Sequence, residues 1–125
     1  MMTALLNQAM AEAFIDASVA AGVEHAVISP GARNAPIIMA LARQSAAGGL
    51  RVHTIIDERS AAFFALGLAR ITGRPALLSC TSGSAGTHYY PAIVEAERSR
   101  IPLIALTADR PEELHGCGAP QTMDQ

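Results

Sequence analysis

Four short segments collect the polar and conformationally special residues of an otherwise apolar chain. They are Pro30-Gly31-Ala32-Arg33, Asp57-Glu58-Arg59, Thr81-Ser82-Gly83-Ser84 and Asp109-Arg110-Pro111, and each follows an apolar run. A guanidinium grips a carboxylate or phosphate through two parallel hydrogen bonds, so Arg33, just after a Pro-Gly turn, and Arg110 are candidate anion-binding forks. The plainer alternatives are a surface arginine at 33 and a local Asp109 partner for Arg110. Glu58 opens a very apolar stretch. As a helix N-terminal carboxylate it would gain about 0.3–1 kcal/mol from the macrodipole. Asp57 can fill that role alone as N-cap, which leaves Glu58 available for chemistry. Thr81 to Ser84 offers hydroxyls and backbone N–H groups ahead of a helix, suited to an anion or amide, or else forms a plain turn.

Other chemistries are poorly served. Among the nine basic residues none is lysine, so neither a complete P-loop nor a Schiff base can form. His25, His53, His88 and His115 show no helical metal spacing and no carboxylate cluster joins them, so no metal ligand is expected from this chain itself. His88 belongs to the same edge as the four segments. Ser82-Gly83-Ser84-Ala85-Gly86 imitates a hydrolase nucleophile elbow, with Asp109 and His115 following in order. The first elbow glycine is replaced by Ser82, and the two partners are too close in sequence to come from separate loops.

The elements that must position these segments follow from periodicity. Leu6, Ala9, Met10, Ala13, Phe14 and Ala17 repeat at helical spacing, and Gly22 stops that helix. Strands are expected over His25–Ser29, Val52–Ile56, Ala76–Cys80 and Pro102–Thr107. Helices are expected from Pro36 to Ala46, from Glu58 to Arg70 and from Thr87 to Ser99, with Pro91 in the first turn of the last or kinking it. A short helix is expected near Glu112. Strands alternating with helices predict an α/β fold: an open parallel sheet with helices on both faces. In such sheets ligands bind beyond the carboxyl ends of the strands, where all four segments lie. The helix after Asp57 is apolar nearly all round, so its second face is expected to meet another subunit or domain.

With 125 residues, half of them hydrophobic, and a net charge of −2, the composition is globular. No polybasic footprint invites nucleic acid or an anionic membrane, and no stretch reads as a membrane span. Cys80 and Cys117 give no disulfide framework. With no visible signal peptide, they point to reduced thiols in the cytoplasm. The sheet lacks a closing element, so the chain is expected to be the front part of something longer.

The segments together resemble a known family. Ile28-Ser29-Pro30-Gly31-Ala32-Arg33-Asn34-Ala35-Pro36 is similar to the first signature of the 2-succinyl-5-enolpyruvyl-6-hydroxy-3-cyclohexene-1-carboxylate synthases, the thiamine diphosphate enzymes of menaquinone biosynthesis. The similarity continues through Asp57-Glu58-Arg59, Gly67-Leu68-Ala69, Thr81-Ser82-Gly83-Ser84-Ala85, Tyr90-Pro91-Ala92 and Glu95-Ala96. Leu106-Thr107-Ala108-Asp109-Arg110-Pro111 is its most specific part, and Cys117-Gly118-Ala119 and Asp124-Gln125 close it.

The resemblance implies that residues 1–125 are the N-terminal part of a pyrimidine-binding domain, without the diphosphate-binding domain, and inactive alone. The implied reaction is a decarboxylating condensation of 2-oxoglutarate with isochorismate, using thiamine diphosphate and Mg2+ or Mn2+. The metal would be bound mainly by the absent domain of a homo-oligomer. Glu58 would hydrogen-bond the ring nitrogen of the cofactor's aminopyrimidine, buried against apolar residues. Pro30, Thr81, Ser82 and Gly83 would line the cofactor pocket, and Arg33, Arg110 and Gln121 would contact substrate. Departures from the family pattern are Ala32 for a common serine, His88 for an asparagine, Gly116 for an aspartate and Pro120 for an asparagine. The alternatives are the same module in another thiamine diphosphate enzyme acting on 2-oxo acids, and a non-catalytic binding or dimerisation module.

Overall fold

A computed structural model describes residues 2–124; Gln125, the last residue of the resemblance, lies outside the described residues. The element order is α1 (Met2–Ala20), β1 (His25–Ile28), α2 (Ala35–Ala46), β2 (Arg51–Thr54), α3 (Glu58–Thr72), β3 (Ala76–Cys80), α4 (Tyr90–Ser99) and β4 (Leu103–Thr107). Two 3-10 segments, Gly83–Tyr89 and Glu112–Leu114, complete it. The four strands are all parallel in the order β2-β1-β3-β4. This is the expected open α/β sheet.

Alternation within the strands divides the core into two layers. Ala26 and Ile28 of β1 and Leu77 of β3 face Ile15 of α1 and Leu41 of α2. Val27, Leu78 and Cys80 face the other way, onto Ala61, Ala62 and Ala65 of α3 and Ala92 of α4. Period-two strands place successive side chains on opposite faces, so both faces of β1 and β3 must be apolar and covered. The many alanines have a use here. The buried face of α3 is Ala61, Ala62, Ala65, Leu66 and Ala69, and such small side chains let helix and sheet backbones approach closely. The opposite face of α3 leaves Phe63 and Phe64 exposed in this chain.

Helix ends follow their sequence signals. Asp57 caps α3 by accepting from the Ser60 N–H at 2.7 Å, and those hydrogen bonds hold its carboxyl below the usual carboxylate range. Several boundaries differ from expectation by one to three residues, and two of the shifts bear on the site. The segment from Gly83 to Tyr89 winds as a 3-10 turn and the α-helix begins only at Tyr90. Pro91 cannot donate to an α-helical ladder, so it sits in the first turn and the preceding residues coil more tightly. Strand β2 ends at Thr54 rather than Ile56. The Ile55 N–H still reaches the Ile28 carbonyl at 3.0 Å, and Ile56 then turns outward. Among the described residues no helix is long and apolar enough to cross a membrane.

Candidate functional site

The four polar segments leave the carboxyl ends of the four strands, and backbone hydrogen bonds hold those ends together. The Ser29 N–H donates to the Ser79 carbonyl at 2.9 Å, and the Ala108 N–H donates to the Cys80 carbonyl at 3.1 Å. The Ser29 hydroxyl donates to the Ile55 carbonyl at 2.8 Å. The exits of β1, β2, β3 and β4 are thereby fixed side by side.

Two close approaches draw the segments further in. A Cβ on Gly31 would lie 2.5 Å from Thr81 Cβ, so the Pro30-Gly31 turn rests directly on the segment after β3. Gly83 has φ +78° and a Cβ there would lie 2.8 Å from Gln121 Cα, so the Thr81–Gly83 segment packs on Gln121. Gln121 itself adopts φ 55°, left-handed backbone that non-glycine residues rarely take. Pro30, Thr81, Ser82, Gly83 and Gln121 are therefore brought into one cluster.

Ser82 is almost wholly buried and its hydroxyl has no hydrogen-bond partner among the described residues. Arg110 Nε is likewise buried and unpartnered. Unsatisfied buried polar atoms are uncommon and cost about 1–3 kcal/mol each, so two of them at one sheet edge mark a place where a ligand can supply the missing bonds.

The two arginine forks are free for an anion. Asp109 does not take the Arg110 guanidinium: its carboxylate accepts from the Arg110 backbone N–H at 2.7 Å and stands 3.5 Å from His115 Nε2. Neither Arg33 nor Arg110 has a carboxylate partner among the described residues, whereas Arg43 pairs with Asp16 and Arg74 with Glu24. Arg33 lines a cleft of about 470 Å3 together with Met10, Phe14, Pro36, Thr107 and Asp109. Its walls are mostly apolar with Arg33 among them, a surface suited to a small molecule that carries an anionic group.

Glu58 opens α3 and is half-buried, rather than fully enclosed. Beneath it lies Tyr89, fully buried, whose hydroxyl lies beside the Cys80 thiol and Ser29 without a well-formed hydrogen bond. Burial pushes the Tyr89 phenol far above its ordinary pKa, and the Cys80 thiol and the Glu58 charge push the same way. Burial also raises the Cys80 thiol. Both therefore stay neutral, and the floor under Glu58 is uncharged.

Sequence reasoning passed over Asn34 and Tyr89. In the sequence Asn34 stands only as one residue of the first signature, with no role of its own, yet it is completely buried beneath the Pro30-Gly31 turn. The hydrolase arrangement is not assembled. Among the described residues Ser84 makes no hydrogen bond with His115, whose Nε2 meets the Arg110 carbonyl at 3.0 Å. No group of three or more His, Cys, Asp or Glu side chains among the described residues could hold a metal.

Comparison with known proteins decides the family. The sequence model for "Thiamine pyrophosphate enzyme, N-terminal TPP binding domain" matches residues 8–125. The chain belongs to this family. The TPP-binding domain is also similar to proteins named 2-succinyl-5-enolpyruvyl-6-hydroxy-3-cyclohexene-1-carboxylate synthase from several bacteria. It is 55% identical to the Listeria innocua protein over 113 residues, which is 90% of this chain and 19% of that relative. It is 58% identical to the Geobacillus kaustophilus protein over 115 residues, 92% of this chain and 19% of the relative. It is 52% identical to the Myxococcus xanthus protein over 120 residues, 96% of this chain and 20% of the relative. The TPP-binding domain thus spans about a fifth of the length of the curated relatives it matches.

Proposed function

We propose that this chain is the pyrimidine-binding half of a cofactor site in a thiamine diphosphate-dependent transferase. The reaction is the decarboxylating condensation of 2-oxoglutarate with isochorismate in menaquinone biosynthesis. The observation that carries the reading is the buried, unpartnered Ser82 hydroxyl, set between the Gly31–Thr81 and Gly83–Gln121 contacts in a chain of the TPP-binding family. The names of the relatives support the choice of reaction.

The residues present fit the cofactor's aminopyrimidine. Glu58 supplies a carboxylate for the ring nitrogen, over an uncharged floor of Tyr89 and Cys80. Ser82 supplies a hydroxyl that lacks a partner. Gly31 and Gly83 supply backbone where a side chain would not fit, and Pro30 and Thr81 form the adjoining wall. When bound, thiamine diphosphate supplies the nucleophilic carbon and the electron sink for decarboxylation. Glu58 holds a proton at the ring nitrogen. Arg33 and Arg110 bind substrate carboxylates, with Gln121 contributing a polar contact. Both substrates are dicarboxylates, which suits two guanidinium forks.

The diphosphate and its Mg2+ or Mn2+ fall to a diphosphate-binding domain outside residues 1–125, and this chain alone is inactive. The exposed Phe63 and Phe64 face of α3 suits self-association into a homodimer or homotetramer in the cytoplasm. The testing experiment supplies the full-length enzyme with isochorismate, 2-oxoglutarate, thiamine diphosphate and Mg2+. Cofactor-dependent release of carbon dioxide that requires both substrates is expected. Release from a different 2-oxo acid, with no need for isochorismate, would overturn the choice of reaction.

A further inference from the structure

Asn34 is wholly buried, yet it is polar and sits in a loop. Both polar atoms of its carboxamide are engaged. Oδ1 accepts from the Gly31 N–H at 2.8 Å, and Nδ2 donates to the Ser29 carbonyl and to the Ser79 hydroxyl, each at 3.2 Å. The orientation of the amide is dictated by its partners, because a backbone N–H can only donate and a carbonyl can only accept. No other side chain of this size offers an acceptor and two donated protons on one planar group. An aspartate would put an oxygen against the Ser29 carbonyl.

These three bonds join the exit of β1, the turn that carries Arg33, and β3. Among the described residues no backbone carbonyl accepts from the N–H groups of residues 31–33, and the Asn34 side chain supplies the acceptor that holds the Gly31 amide from within the turn. The same turn is pressed on Thr81 through Gly31. We propose that Asn34 is a positioning residue that fixes the Arg33 guanidinium at its cleft and sets its distance from the Thr81–Gly83 segment. This rests on the substrate role of Arg33 given above.

The test uses the full-length enzyme with isochorismate as the varied substrate. Asn34→Ala is expected to raise KM about tenfold, the factor for one ordinary hydrogen bond, with kcat within about threefold. Arg33→Ala raises KM at least as far, and the Asn34→Ala/Arg33→Ala double variant rises no further than Arg33→Ala. Hydrogen exchange at the Gly31 amide quickens in Asn34→Ala and is unchanged in Arg33→Ala. Where Asn34→Ala fails to fold, Ser79→Ala removes a single bond. Its KM is expected to rise about threefold, and the rise should vanish in an Arg33→Ala background. Independent, multiplying effects of the Asn34 and Arg33 substitutions would overturn the positioning role while leaving Arg33 in place. So would a wild-type KM in Ser79→Ala. An unchanged KM in Arg33→Ala would instead overturn the substrate reading and the proposal with it.

Discussion

Gly83 lies against the backbone of Gln121. A Cβ at Gly83 would stand 2.8 Å from Gln121 Cα and 2.9 Å from its carbonyl carbon, and both residues have positive φ. The segment proposed to line the cofactor and the residue proposed to contact substrate are therefore packed as one surface. Gly83→Ala must accept both a clash with backbone and a strained left-handed conformation. It is expected to lower stability by about 1–3 kcal/mol. Chemical denaturation measures this, and a midpoint equal to wild type would mean that the two segments do not pack together.

The unpaired forks make a kinetic prediction. Arg33→Lys and Arg110→Lys keep the charge but lose the planar pair of donors, so each should raise the apparent substrate KM about tenfold in the full-length enzyme. Steady-state kinetics with each substrate varied checks this. Unchanged KM values in both variants would remove the two arginines from the binding site.

A histidine pair away from the site makes the fold sensitive to acid. His25 Nδ1 and His53 Nε2 are 3.1 Å apart in a hydrogen bond, the rings stack, and His53 packs edge-on against Phe64 of α3. Burial lowers the His53 pKa first, with the nearby His25 and Arg51 adding to it. A histidine with a depressed folded-state pKa binds fewer protons folded than unfolded. Stability is therefore complete above the ordinary value of 6.5 and declines as pH falls from there through the folded-state value. Thermal midpoints should drop between pH 7.5 and 5.5, and His53→Gln, which cannot gain a proton, should flatten that drop. An equal drop in His53→Gln would place the sensitivity elsewhere.

The thiols should differ in reactivity. Cys80 is buried and its pKa is raised, whereas Cys117 is exposed. A maleimide or disulfide reagent should label Cys117 in the native protein and Cys80 only after unfolding, read by peptide mass. Prompt native labelling of Cys80 would contradict the closed core beneath Glu58.

How far the sequence could be read depended on the range of the interaction. Period-two and period-3.6 patterns gave the strands and helices, and Asp57 declared itself as a cap because its partner, Ser60, is three residues away. The turn after β1 was visible in Pro30-Gly31, but the burial of Asn34 was not. Its partner Ser79 is 45 residues distant and meets it only because β1 and β3 are neighbours. The His25–His53 pair was hidden for the same reason. Helical spacing cannot reveal it, whereas the β1–β2 register, with His25 beside Arg51, places His53 two residues along. The plainer alternative for Arg110, a local partner in Asp109, is met at its backbone and not at its guanidinium. Asp109 sits next to it in sequence, but its carboxylate serves the backbone N–H and faces His115.

Glu58 is proposed to hydrogen-bond the ring nitrogen of the cofactor's aminopyrimidine, and Glu58→Gln in the full-length enzyme tests that role most directly. The amide keeps the size of the side chain but removes the carboxylate. Turnover with isochorismate and 2-oxoglutarate at saturating thiamine diphosphate is expected to fall about a hundredfold or more, the scale of a lost acid–base group. Near-normal turnover in that variant would contradict the account.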